Sequence, residues 1–131
     1  MSHIVEAKTS IQSPDLALLT QAVHLVASQH QGTLENYYVD YYGRRHSVST
    51  KLALHTPELI RGIGIEVADT GELAFVGDPW AVRQMFEQVQ SEIVQTYVSL
   101  ATMQALSQLG YTPEAQEAED GSLVIAGVSY A

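Results

Sequence analysis

The fold is decided by residues 60–77, IRGIGIEVADTGELAFVG, in which two apolar segments flank a turn. The first segment alternates apolar with small or charged residues, placing apolar side chains at Ile63, Ile65 and Val67. Such alternation is typical of a strand with one buried face. Asp69-Thr70-Gly71 supplies turn residues, and a second apolar segment follows at 73–76. The stretch therefore predicts an antiparallel hairpin.

Two glycines inside this hairpin, Gly62 and Gly64, superficially resemble a nucleotide-binding loop. The third glycine of that motif is absent, and a strand rather than a helix is predicted to follow. Glycine within a strand instead indicates a bulge or a close backbone approach. We therefore predict no phosphate-binding loop here.

Outward from this hairpin, residues 3–11 predict a first strand, and the next segment predicts a helix with Ser13 as N-cap. Downstream, Asp78 is the predicted N-cap of the longest helix, which ends before Gly110. The last segment predicts a hairpin around Asp120-Gly121.

A second hairpin is predicted from NYYVDYYGRRH, residues 36–46. A two-residue turn at Gly43-Arg44 would place Tyr42 opposite Arg45. Because strand side chains alternate between faces, this register predicts two tyrosines in the core and two in solvent. The predicted core pair is Tyr37 and Tyr41, and the predicted solvent pair is Tyr38 and Tyr42.

The elements together predict a single α+β domain over residues 1–131, in the order β-α-β-β-β-β-α-β-β. Two helices should pack on one face of a mainly antiparallel sheet. A chain of this length can bury roughly two-thirds of its unfolded surface around one core.

Composition and charge disfavour several function classes. A net charge of −9 repels phosphate backbones, so nucleic acid is not the expected partner. The absence of cysteine excludes disulfides, thiolate nucleophiles and cysteine-ligated metals from this chain. We find neither an export signal nor an apolar run long enough for membrane insertion. A soluble, cytoplasmic protein is the resulting expectation.

Catalytic and metal-binding motifs are also missing from the sequence. His24 and His30 are six positions apart, which does not place them on one side of a helix. No nucleophile elbow occurs. An acidic group near the C-terminal turn is expected to be solvated rather than catalytic: Glu114, Glu117, Glu119 and Asp120. We therefore predict no catalytic residue, metal site or cofactor, although an enzyme is not excluded.

Across nearly its full length the chain resembles a known family. The segments that carry the resemblance are, in order, MSHIVEAKTSIQ, YYGRRHSV, GIGIEV with GELAFVGDPW, QTYVSLATMQALSQLGY and EDGSLVIAG. They resemble the family of the conserved hypothetical chloroplast reading frame thirty-five, a domain of unknown function from cyanobacteria and algal plastids. The resemblance implies a cytoplasmic or plastid stromal location and no known catalytic residues. The chain departs from the family's tryptophan- and glycine-rich turn at GDPWAV.

Residues 44–61 carry a net charge of +3 within this acidic chain and adjoin the tyrosine-rich hairpin. Tyrosine, tryptophan and arginine are enriched where proteins bind one another. The predicted partner-binding residues are Tyr38, Tyr42, Arg44, Arg45, Lys51 and Trp80.

The leading hypothesis is a non-enzymatic accessory or adaptor domain that binds another protein, or a second copy of itself. It would use either this hairpin or an exposed stripe on the long helix around Met85 and Phe86. Two alternatives stay open. The tyrosines and arginines could merely stabilise the sheet, or the chain could be an enzyme or small-molecule binder with a pocket between sheet and helices.

Overall fold

The computed structural model describes the backbone of residues 3–117 and 123–130, and the side chains of residues 3–111. The helices are α1 (Leu16–Gln29) and α2 (Arg83–Gln108). The strands are β1 (Val5–Gln12), β2 (Thr33–Glu35), β3 (Tyr37–Val39), β4 (Arg45–Ser47), β5 (Ala53–Thr56), β6 (Leu59–Val67), β7 (Glu72–Gly77), β8 (Tyr111–Glu117) and β9 (Leu123–Tyr130).

A five-stranded antiparallel sheet in the order β1-β7-β6-β5-β2 forms the centre of the fold. The hairpin predicted for residues 60–77 is confirmed as β6 and β7, with Ile65 opposite Phe75. The predicted α+β class and the order of its elements are also confirmed. Between the helices the predicted strands are divided into shorter pieces. One division lies at residues 48–52, where the Thr50 hydroxyl donates to the Ile65 carbonyl and Lys51 has a positive φ of 60°.

The main core lies between the helices and one face of this sheet. Isoleucine, leucine, valine and phenylalanine fill it because the alternating strand positions and the helix stripes project toward the same layer. The fully buried members include Leu19, Val23, Val26, Leu54, Ile63, Ile65, Leu73, Phe75, Val89 and Ile93.

A second, smaller core covers the opposite face of the sheet, where β3 and β4 form a separate two-stranded sheet. Its buried members are Tyr38, Val48, Ala53 and Val76. Gly64 makes this packing possible: a Cβ at Gly64 would lie 2.7 Å from Val48 Cγ1 and 3.0 Å from Tyr38 Cδ1. The close neighbours of Gly64 are therefore side chains, not the backbone that was predicted to approach a strand glycine.

Both helices begin later than predicted. The N-cap of α1 is Asp15, whose carboxylate accepts hydrogen bonds from the amides of Ala17 and Leu18, and Ser13 lies outside the helix. The N-cap of α2 is Val82 rather than Asp78. Ala81 has a left-handed φ of 66°, which interrupts any helix from Asp78 onward.

The C-terminal strands β8 and β9 pair with each other and contact α2. The predicted turn at Asp120-Gly121 and the side chain of Glu119 lie outside the described residues. Strand β8 contains Glu114 and Glu117.

Candidate functional site

Asp40 fixes the conformation of the loop that joins β3 to β4. Its backbone N–H donates to the Arg44 carbonyl at 2.9 Å, which closes a loop of three residues. Its carboxylate Oδ1 accepts hydrogen bonds from the amides of Tyr42 (2.9 Å) and Arg44 (3.0 Å). Gly43 has a φ of 82°, the left-handed conformation that such three-residue loops require. The loop is therefore built by its own sequence, DYYGR.

This loop makes the predicted hairpin register wrong. Tyr38 pairs with His46 and Val39 with Arg45, so the register differs by three positions from that of a two-residue turn. An odd shift reverses which residues of one strand share a face with the other strand. Tyr38 is consequently buried, with 7% of its surface exposed, whereas Tyr41 is 48% exposed and Tyr42 is 75% exposed. The expectations of an exposed Tyr38 and a buried Tyr41 are both wrong.

A second carboxylate, that of buried Asp78, ties this loop to the segment after β7. Its Oδ2 accepts a hydrogen bond from the Tyr41 amide at 2.9 Å, and its Oδ1 accepts one from the Trp80 amide at 3.3 Å. Arg61 reaches the same segment, since its Nε donates to the Asp78 carbonyl at 3.1 Å and its Nη2 donates to the Trp80 carbonyl. Three distant parts of the chain are thus joined.

These bonds hold three aromatic rings in contact at the surface. The Tyr41 ring lies between the other two, with its centroid 5.0 Å from that of Trp80 and 5.5 Å from that of Tyr42, both edge to face. The Arg44 guanidinium carbon lies 5.8 Å from the centroid of the Tyr42 ring. Trp80 is 44% exposed and neighbouring Ile60 is 75% exposed. We name this surface the tip patch and define it as Tyr41, Tyr42, Arg44, Ile60, Arg61 and Trp80.

A cavity of about 180 Å³ adjoins the tip patch. Trp80, Ile60 and Pro57 contribute apolar walls, and Arg61 and Glu58 contribute charged groups. The lining therefore combines apolar side chains with two charged ones, which suits an apolar side chain of a partner.

Beneath the loop, Asp40 and Tyr38 share His46. The His46 ring lies 3.0 Å from Asp40 Oδ2 through its Nε2 and stacks on the Tyr38 ring at 5.1 Å. The hydrogen bond from His46, followed by those from the Arg44 and Tyr42 amides, lowers the pKa of Asp40 below its ordinary value. Burial, with the charges of Glu66 and Asp40, raises the pKa of Tyr38, so its hydroxyl stays protonated.

The structure brings together only part of the predicted partner-binding set. Tyr42, Arg44 and Trp80 belong to the tip patch, while Tyr38 faces the second core. Arg45 stacks on Tyr37 instead, with its guanidinium carbon 4.2 Å from the ring centroid.

Lys51 lies at the other end of the hairpin. The turn that contains Lys51 is hydrogen-bonded to β6. The Thr50 hydroxyl donates to the Ile65 carbonyl, and the Ser49 amide donates to the Glu66 carboxylate. The nearest of these positions on β6 is four residues beyond Arg61, which corresponds to about 13 Å along the strand. Lys51 is therefore separate from the tip patch.

Sequence reasoning missed Tyr41, Ile60 and Arg61, together with the two aspartates that organise them. The turn signal of Asp40 was available, since aspartate three residues before glycine commonly accepts bonds from loop amides. The contact between Arg61 and Trp80 follows from the register of the β6–β7 hairpin, in which Gly64 lies opposite Val76. The contact of these two residues with Tyr41 had no local signal, because it depends on where the β3–β4 loop lies in the folded chain.

Within residues 3–111, no group of three or more His, Asp or Glu side chains could hold a metal ion. In the part of the chain that is described, neither helix is long and apolar enough to cross a membrane.

Comparisons with protein-family profiles, with curated proteins and with solved structures gave no match. The resemblance to the reading frame thirty-five family therefore stays a hypothesis.

Proposed function

We propose that this chain is a non-enzymatic protein-binding domain and that the tip patch contacts its partner. The observation that supports this most is the contact between Tyr41 and Trp80. The two rings come from separate segments, the β3–β4 loop and the segment after β7, and lie 5.0 Å apart, yet each keeps nearly half of its surface exposed. A structural role alone would favour their burial, since exposed aromatic surface contributes nothing to the core.

The tip patch is organised before any partner binds. Asp40 fixes the loop from within, and Asp78 fixes it to the Trp80 segment through two backbone amides. Side chains that are already ordered lose little conformational entropy on binding, which leaves more of the contact energy for affinity. Tyr, Trp and Arg are also the residue types that most often dominate binding energy at protein interfaces.

Charge and shape define the partner. Arg44 is exposed at the rim, and Arg61 extends between the aromatic rings and the cavity. Arginine at such positions favours carboxylates, which it can bind through two parallel hydrogen bonds. A suitable partner is a protein segment that inserts one apolar side chain beside Trp80 and carries acidic residues next to it.

The other predicted surface, the stripe on the long helix, is less suitable. Phe86 is buried in the main core and Met85 packs against that core. Trp80 precedes α2 and belongs to the tip patch. The second hypothesis, a ligand pocket between sheet and helices, gains no support from the described core, which fills that layer with apolar side chains.

A peptide-display selection against the wild-type protein tests the proposal. Trp80 is the single tryptophan, so its fluorescence reports binding at the tip patch without a label. We expect selected peptides to combine an apolar residue with carboxylates and to change Trp80 emission on binding. The double variant Tyr42→Ser/Arg44→Glu should bind them at least about tenfold more weakly, because it removes an aromatic contact and reverses a charge.

Lys51→Glu is the matched control, because it makes the same charge reversal at the distant end of the hairpin. It should retain the wild-type affinity. Peptides that bind the double variant as tightly as the wild type, or that saturate without any change in Trp80 emission, would refute the proposal.

A further inference from the structure

Strand β1 forms one edge of the five-stranded sheet. Among the described strands it pairs only with β7, from Val5 opposite Gly77 to Lys8 opposite Ala74. Farther along, the register becomes irregular, and the Thr9 hydroxyl donates to the Leu73 carbonyl. The opposite side of the regular segment therefore offers backbone N–H and C=O groups that a further strand could pair with.

The exposed side chains on this segment alternate in charge. Glu6 and Lys8 both project from the exposed face of β1, on either side of the half-buried Ala7. Edge strands commonly carry charges that oppose pairing with other chains. A glutamate and a lysine placed symmetrically about one residue have a different property, because an antiparallel copy of the same segment presents them in reverse order.

The register of such a self-pairing follows from charge. When two copies of β1 pair antiparallel about a two-fold axis at Ala7, Glu6 of each copy lies opposite Lys8 of the other. Registers centred on Glu6 or on Lys8 instead place two like charges opposite each other, which is destabilising. Only the register centred on Ala7 forms two ion pairs.

We propose that two copies of this chain associate through their β1 edges in this register and so extend the sheet across a two-fold axis. The interface consists of backbone hydrogen bonds along the regular part of β1 and two symmetric Glu6–Lys8 pairs. This proposal does not depend on the tip patch, whose residues lie outside β1.

Sedimentation velocity on charge variants tests the proposal. The wild type should be dimeric at the highest concentrations and dissociate on dilution. Glu6→Lys and Lys8→Glu should each weaken self-association by about tenfold or more, because each turns both attractive pairs into repulsive ones. The double variant Glu6→Lys/Lys8→Glu should recover the wild-type dimer.

Mixing the two single variants separates the proposal from effects on folding. Each variant alone should be monomeric, but an equimolar mixture should form a heterodimer, since every altered charge then faces its opposite. No change within a single chain can produce this rescue. A wild type that is monomeric at every concentration, a dimer that both single variants leave intact, or a mixture that stays monomeric would each overturn the proposal.

Discussion

Tyr38 and Tyr42 lie four positions apart in one hairpin, yet they occupy opposite environments. Tyr38 packs against Val48, Val76 and Gly64 in the second core, while three-quarters of Tyr42 is exposed at the tip. Strand periodicity alone would place two residues separated by four positions on the same face. The loop fixed by Asp40 interrupts the strand between them. Tyr38 therefore packs in the second core, whereas Tyr42 lies at the surface.

The two environments are also stabilised differently. The packing of Tyr38 in the second core depends on shape, because the absence of a side chain at Gly64 leaves room for the Tyr38 ring. The tip depends on hydrogen bonds that the carboxylates of two aspartates accept from backbone amides. Substitutions should therefore affect stability at the first position and the organisation of the surface at the second.

The largest expected effect is that of Tyr38→Ala. Loss of a buried aromatic ring should lower the free energy of unfolding by about 3 to 5 kcal/mol, measured by urea denaturation. Tyr38→Phe should change it little, since it keeps the ring. Tyr42→Ala should cost less than about 0.5 kcal/mol, as expected for an exposed position. Equal losses for Tyr38→Ala and Tyr42→Ala would contradict the division between core and tip.

Asp78→Ala should have an intermediate effect. It removes the acceptor for the Tyr41 and Trp80 amides, and leaving such groups unpaired costs about 1 to 3 kcal/mol. Trp80 emission should shift to longer wavelength as the ring loses its contact with Tyr41. Asp78→Asn keeps one oxygen acceptor, so its free energy of unfolding should lie between those of Asp78→Ala and the wild type. An unchanged emission spectrum in Asp78→Ala would argue against the role assigned to this carboxylate.

The smallest expected effect is a pH dependence that arises from Asp40. Its pKa is lowered in the folded protein, chiefly by the hydrogen bond from His46, so folding favours the charged carboxylate. The resulting stabilisation is fully present above the ordinary aspartate pKa of about 3.9 and is lost as the pH falls through the lowered value. The free energies of unfolding of the wild type and of Asp40→Asn should therefore differ most at neutral pH and converge in acid. A difference that grows on acidification would have the wrong sign.

The sequence was informative where a pattern has one physical meaning. Alternating isoleucines before Asp69-Thr70-Gly71 predicted a hairpin, and this became β6 and β7. Aspartate before a turn or helix has two meanings, because its carboxylate can accept from helix amides or from loop amides. Asp15 caps α1, whereas Asp40 and Asp78 organise loops, and local sequence did not distinguish these uses.

The candidate site was predictable only in part for the same reason. The excess of tyrosine and arginine in residues 36–46 directed attention to Tyr42 and Arg44, but the faces depended on a loop length that Asp40 determined. Arg61 and Trp80 contact Tyr41 of this hairpin across large separations in sequence. Contacts between distant segments therefore completed the tip patch.

Tyrosine nitration, located by fragment-ion mass spectrometry in the free and peptide-bound protein, tests the central claim most directly. In the free protein we expect modification at Tyr41 and Tyr42 and protection of Tyr38. At a saturating concentration of a peptide selected against the wild type, Tyr42 should become protected. Tyr111, which is exposed and lies outside the tip patch, should stay reactive. Rapid nitration of Tyr38 in the free protein, or undiminished nitration of Tyr42 in the complex, would contradict the account.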